Sequence, residues 1–336
     1  MAPGVALAGR AVAACYAAVM NLPERPMRWA QARLRDGRLG WLFVGPNLAI
    51  FGVFTFLPIA IDFWYAMTGG TQLLPADRPY VGAANFAALL DCRDYLAPNS
   101  CARDTFWYAL WNTAAFVACQ VGCMILLSLV TALVLNRKVL GRGFFRAVFF
   151  YPVMLSPVVV ALIWKWILQR NGILNAAIQA SGGAGTDWLL DPSWAFFWTI
   201  FVSIWAHMGF YTLILLAGLQ AIPADLYEAA SMDAASAWRT FRRITLPLLM
   251  PSLAVVFVLG MIRAVQVFDD VWVLTGGGPG TATTYLVEFI YVTGFAQTVR
   301  EYGVAAAASL LLAVALLGFT LLQLKILMRG ARSDAR

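Results

Sequence analysis

IPADLYEAASMDAASAWRTFRRITLPLLMP, residues Ile222 to Pro251, is a polar stretch of about thirty residues set between two strongly apolar ones. A simple turn would be enough to join two apolar segments. Here Pro223 stands where proline is tolerated, in a first helical turn, and Asp225 and Glu228 follow where carboxylates suit the positive end of a helix. The next residues, Ala229, Ala230, Ser231, Ala234, Ala235 and Ser236, are small, so another surface can approach the backbone closely. Leu226, Tyr227 and Met232 supply apolar anchors. The stretch reads as a docking helix.

Its surroundings fix the class of the molecule. The 336 residues are 61% hydrophobic and 12% charged, with a mean hydropathy of +0.74, which places the chain among integral membrane proteins. Crossing about 30 Å of hydrocarbon takes roughly 20 helical residues. Windows of that length fall near 41–67, 107–135, 147–168, 194–219, 252–274 and 303–328, so an all-α polytopic protein with six transmembrane helices is expected. Ala11 to Met20 is apolar but too short to span. Residues 1–38 are read as a cytoplasmic extension, either an interfacial helix or a tail, 39–330 as the transmembrane domain, and 331–336 as a tail.

The net charge of +7 is not spread evenly. Seventeen of the 24 Lys and Arg residues lie in 1–40, 137–146, 220–250 and 325–336, and five lie in 69–106, 168–193 and 275–302. By the positive-inside rule both termini and the docking stretch are cytoplasmic, and the basic excess is a topology signal rather than a nucleic-acid footprint. Loop 69–106 then faces the other side, where oxidation is possible. Its Cys92 and Cys101 are either a disulfide closing a short loop or two free thiols. Cys15, Cys119 and Cys123 read as small apolar packing residues.

Enzymatic chemistry finds little support. No glycine-rich loop ending in Gly-Lys-Ser/Thr is present to cradle a nucleotide phosphate, and Gly276 to Gly280 reads as a flexible turn. One histidine and no Cys/His ligand spacing argue against a metal centre. No catalytic residue is assigned. A membrane-embedded transferase would have Asp269-Asp270 as its one candidate carboxylate pair, and an ion-coupled transporter would call for an internal repeat.

Polar groups inside the spans are the remaining candidates. Ser203, His207, Phe210 and Tyr211 recur at i, i+4, i+7 and i+8 on the fourth span. Hydroxyl-binding groups beside rings that stack on apolar sugar faces suit a carbohydrate, and the same face suits packing against another helix. Arg263, Gln266 and Asp270 make a comparable stripe on the fifth. A charge in hydrocarbon costs about 2.5–3.5 kcal/mol, so Arg263 needs a partner, with Asp269 or Asp270 nearest in sequence, or a wet cavity.

Glu228-Ala229-Ala230, then Asp233, then Ile244 with Leu246-Pro247, resembles the EAA loop of the membrane subunits of ATP-binding cassette importers, and Ala217 to Pro223 matches as well. Val81-Gly82, Trp111-Asn112-Thr113, Tyr151-Pro152, Trp164-Lys165-Trp166 and Thr275 to Pro279 stand in the order seen in the sugar-type permeases of that family, maltose and glycerol-phosphate importers included. The resemblance implies a type I importer permease fold. It makes 220–251 a cytoplasmic coupling loop, with Glu228, Ala229, Ala230, Asp233, Ala234 and Arg239 facing an ATPase. It implies a second homologous permease, two ATP-binding subunits that hold ATP and Mg, an extracytoplasmic solute-binding protein and a sugar cargo in an inner membrane. This chain itself would bind no cofactor. Where the family has glycine after the aspartate, this chain has Ala234, expected to stiffen the helix.

Overall fold

The computed structural model describes residues 36–137 and 141–333, which divide into two compact units, one ending at Phe63 and one beginning at Trp64. Most of the 1–38 extension, Cys15, Lys138 and the end of the 331–336 tail lie outside the described residues.

In the first unit, α1 (Asp36–Phe51) passes through Pro46 into a wider turn at Gly52–Phe56 and then α2 (Leu57–Ala66), whose last three residues belong to the second unit. These form an apolar span of 23 residues, Val44–Ala66. The second unit contains α3 (Ala84–Leu90), α4 (Asp104–Asn136), α5 (Arg142–Phe150), α6 (Pro157–Leu168), α7 (Ile173–Ala180) and α8 (Pro192–Gln220). It continues with α9 (Ala224–Met232), α10 (Ala237–Thr240), α11 (Leu246–Val265), α12 (Asp269–Leu274), α13 (Leu286–Tyr291) and α14 (Tyr302–Ser333).

Five of the described helices are long and apolar enough to cross a membrane, and a bent pair, Gly143–Met154 and Pro157–Ala180, makes a sixth if taken as one span. The third span is therefore not the straight helix expected over 147–168. Its two limbs meet at 101°, because Pro152 and Pro157 lack the N–H that would carry the helical ladder across Leu155, whose ψ of 147° is extended. The fifth span also departs from 252–274. It starts at Ala237, since α10, a wider turn at Phe241–Thr245 and α11 run on as one apolar helix, and it stops at Val265. The chain kinks at Gln266 to Phe268 before α12.

Helices α4, α8 and α11 form the centre. Leu215, Leu249, Val256 and Met124 are fully buried between them. Small residues set the spacing, as expected where backbones pack closely within a membrane. A Cβ at Gly209 of α8 would lie 2.1 Å from the Phe149 carbonyl oxygen, and one at Gly218 would lie 2.3 Å from Ser252 Oγ. Cys119 and Cys123 are exposed on α4, so they do not serve this packing.

Loops 69–106 and 281–301 gather at one end of the bundle. Cys92 and Cys101 are joined in a disulfide. The lobe it closes lies on α4, with Tyr95 against Trp107 at 5.0 Å and the Tyr108 hydroxyl donating to Asn99 Oδ1 at 2.7 Å. Arg103 and Glu301 form a two-bond pair at 2.8 Å. The buried Arg78 lies over the rings of Tyr65 and Tyr302 and donates to Thr68 Oγ1, the Thr68 carbonyl and the Gln72 carbonyl.

Candidate functional site

A cavity of about 220 Å³ opens between α8, the end of α11 and the kink before α12. Ser203 and His207 reach it from α8, Arg263 and Gln266 from the end of α11, and Asp269 and Asp270 from the start of α12. Pro157, at the break of the third span, and Phe268 complete the wall. The cavity thus lies where α11 ends, α12 begins and the third span breaks, against the side of the unbroken α8.

Two of the expected lining residues are elsewhere. Tyr211 is buried in the central apolar cluster with Leu215 and Leu249, and Phe210 is exposed with its ring 5.4 Å from that of Tyr211. A step of seven or eight residues carries them to the level of the packed core, beyond the cavity. Phe268 is the aromatic residue present, and the sequence offered no periodic signal for it, because it belongs to the kink.

The charges also pair differently from the expected arrangement. Arg263 Nη2 donates to His207 Nε2 on the neighbouring span, rather than to Asp269 or Asp270. The other ring nitrogen, Nδ1, donates to the Ser203 carbonyl at 2.8 Å, which assigns the tautomer with Nε2 free to accept. Asp270 also lines the cavity, but the kink ends the helical stripe after Val265, so it does not continue the row of Arg263 and Gln266. It is buried, and its Oδ1 accepts from the Val271 amide at 3.2 Å. Asp269 is exposed to the cavity. The two adjacent carboxylates thus stand in different surroundings, Asp269 exposed and Asp270 buried.

Directly between α8 and the helix that runs into α11 lies α9. Pro223 stands one residue before its first turn, with ψ of 135°, rather than inside it. Ile222 and Tyr227 pack inward, and the Tyr227 hydroxyl lies 3.2 Å from Thr245 Oγ1. Leu226 and Met232 are exposed, at 40% and 87%. Glu228, Ala229 and Asp233 are exposed and Ala230 is buried. Arg239 is exposed in α10, beyond the turn.

Ala234 does not lengthen or stiffen α9. It has φ of +49° and ends it. The Ala235 amide donates to the Ala230 carbonyl at 3.0 Å and the Ala234 amide to the Ser231 carbonyl at 3.1 Å. This bond pattern closes a helix through a left-handed residue, a position that favours glycine.

Residues 124–327 match the family model described as binding-protein-dependent transport system inner membrane component. The trehalose/maltose transport system permease protein MalF of Thermococcus litoralis is 37% identical over 300 residues, covering 88% of this chain and 96% of that protein. The lactose transport system permease protein LacF of Rhizobium radiobacter is 32% identical over 287 residues, covering 83% and 91%. Among solved structures, a bacterial ABC transporter involved in import of the acidic polysaccharide alginate superposes with a TM-score of 0.73 at 25% identity, covering 87% of this chain and 95% of that one. A second structure of a bacterial alginate transporter, in complex with an alginate pentasaccharide-bound periplasmic protein, gives 0.69.

Proposed function

We propose, from the premise that this chain belongs to the binding-protein-dependent transport system inner membrane component family and is the multi-pass permease of an ABC importer, that it carries a sugar or related polyol through the Ser203–Arg263 cavity. The observation that carries this reading is the place of α9. It joins the two helices whose side chains line the cavity, and Tyr227 ties it to the second of them through Thr245.

In this reading both termini and α9 lie on the cytoplasmic side, and two ATP-binding subunits, which hold ATP and Mg, seat on the exposed face of α9. Glu228 meets a cationic group of the ATPase, with Ala229, Ala230, Asp233, Ala234 and Arg239 forming the rest of the contact. Movement of the seat then passes through Ile222 and Tyr227 into α8 and α11. A second permease completes the pore, and an extracytoplasmic binding protein delivers cargo to the end that bears 69–106. In the cavity, Arg263 and Gln266 donate to sugar hydroxyls, Asp269 accepts from them, and His207 holds the guanidinium in place. Supporting the carbohydrate class are relatives whose names specify trehalose, maltose and lactose transport.

The test is uptake in proteoliposomes holding the whole importer. Glu228→Ala should lower uptake and sugar-stimulated ATP hydrolysis while the binding protein's sugar affinity stays intact. His207→Ala and Arg263→Ala should alter sugar-stimulated hydrolysis without loss of assembly. Unchanged uptake in Glu228→Ala would sink the coupling role. Uptake of glycerol phosphate in preference to any neutral sugar would replace the cargo class.

A further inference from the structure

The six residues of α12 span about 9 Å, and a cavity lies at each end of it. Asp269 and Asp270, at its start, face the cavity described above. Leu274 and Thr275, at its finish, line a second cavity of about 330 Å³, closed on its other sides by the last turn of α6 and by residues 187–190. The second cavity is within the size range of small-molecule sites.

Its walls are mostly apolar with polar side chains set among them, a mixture that suits a sugar, whose rings present both apolar faces and hydroxyls. Arg170 Nη1 and Asp187 Oδ2, both lining residues and both partly exposed, pair at 2.7 Å and have further donors and acceptors to give. Lys165 donates to the Val273 carbonyl at 3.0 Å, at the negative end of α12, and an ammonium has two more N–H bonds to give. Gln169 adds an amide, the Thr275 hydroxyl is already held by the Val271 carbonyl and Thr283, and Leu168, Leu189 and Leu190 supply apolar wall. A cationic guest would meet Lys165 and Arg170 as like charges, and a carboxylate guest, though drawn to them, would also meet Asp187. A neutral polyol, which both donates and accepts, meets no like charge.

We propose that this second cavity is a separate sugar-binding site, a waiting position that cargo occupies before it passes α12 into the cavity of Arg263. The proposal rests on the sugar-import reading for the class of its ligand and for placing this end outside the cell. Because Lys165 holds the end of α12, cargo that takes up the lysine's remaining donors bears on the same short helix that presents Asp269 to the next position.

The test uses Gln169→Cys and, as a second reporter on the same wall, Leu190→Cys, each in a chain with Cys15, Cys119 and Cys123 replaced by Ser, assembled as the whole importer in proteoliposomes. The rate of labelling by a membrane-impermeant methanethiosulfonate is followed with maltose or trehalose and without. Sugar at ten times its half-protecting concentration should slow labelling about tenfold at both positions. It should do so again when Arg263→Ala is added, and it should leave Asn171→Cys unaffected. Sugar uptake without protection at either reporter overturns the second site alone; absence of both uptake and protection overturns the sugar reading with it. Protection by sugar-free binding protein, with none from free sugar, assigns the cavity to a protein side chain and overturns the proposal.

Discussion

The Tyr227 hydroxyl lies 3.2 Å from Thr245 Oγ1, joining α9 to the helix that carries Arg263 into the cavity. One hydrogen bond of this kind contributes about 0.5–1.5 kcal/mol. Tyr227→Phe keeps the ring in its apolar seat and removes the bond. The importer should still assemble and hydrolyse ATP, with less sugar moved per ATP, checked by measuring uptake and hydrolysis on the same vesicles.

Ala234 has a left-handed backbone at the end of α9, and an alanine in that region carries a cost of about 1–2 kcal/mol that glycine avoids. Ala234→Gly should raise the thermal midpoint of the purified chain. Ala234→Val should lower it, because a β-branched side chain tolerates this backbone less well. Equal midpoints for all three would remove the strain.

Gly209 and Gly122 lie in transmembrane helices, yet they should respond in opposite ways to the same change. A Cβ at Gly209 would lie 2.1 Å from the Phe149 carbonyl oxygen, whereas one at Gly122 has nothing within 4 Å. Gly209→Ala must push the broken third span away from α8, at a cost of about 1–3 kcal/mol. Gly122→Ala should be neutral or stabilising by up to about 1 kcal/mol. Detergent-solubilised thermal unfolding of the two variants tests this directly.

Glu288, on the short α13, is 2% exposed, and its Oε2 has no hydrogen-bond partner. Burial pushes its carboxyl up from 4.5 to about 7, partly offset by the Tyr285 backbone bond. Well below pH 4.5 the group is protonated in folded and unfolded chains alike and adds no pH-dependent cost. As pH rises towards 7 the unfolded chain releases its proton first, so stability falls, by about 3 kcal/mol across the interval, and then levels off. Glu288→Gln should flatten this slope between pH 5 and 8 in thermal unfolding experiments.

Hydropathy made the spans legible because length and composition alone decide whether a helix can cross a membrane. Charge distribution and the run around Glu228 singled out α9 in the same way, from local residue chemistry. The direction of a helix is not local. Pro152 and Pro157 announced a disturbance in the third span but not a 101° bend, and nothing in the apolar run before Gln266 marked the end of α11. The site suffered most from this. Arg263 was expected beside Asp269 or Asp270 on an unbroken helix, and the kink gave it to His207, 56 residues away in sequence. Ala234 was read as a helix residue because alanine favours helices, while the bonds from Ala234 and Ala235 back to Ser231 and Ala230 are what stop the helix there.

Arg78 is held by two tyrosine rings, two carbonyls and a hydroxyl. None of these partners is a counter-charge that salt can screen. The Arg103–Glu301 pair is different, since it is an attraction between two partly exposed charges, which dissolved ions weaken. The loop from Thr68 to Tyr80 therefore has a fastening indifferent to ionic strength. Raised salt would loosen the attachment at Glu301 first and leave the Thr68–Tyr80 loop in register.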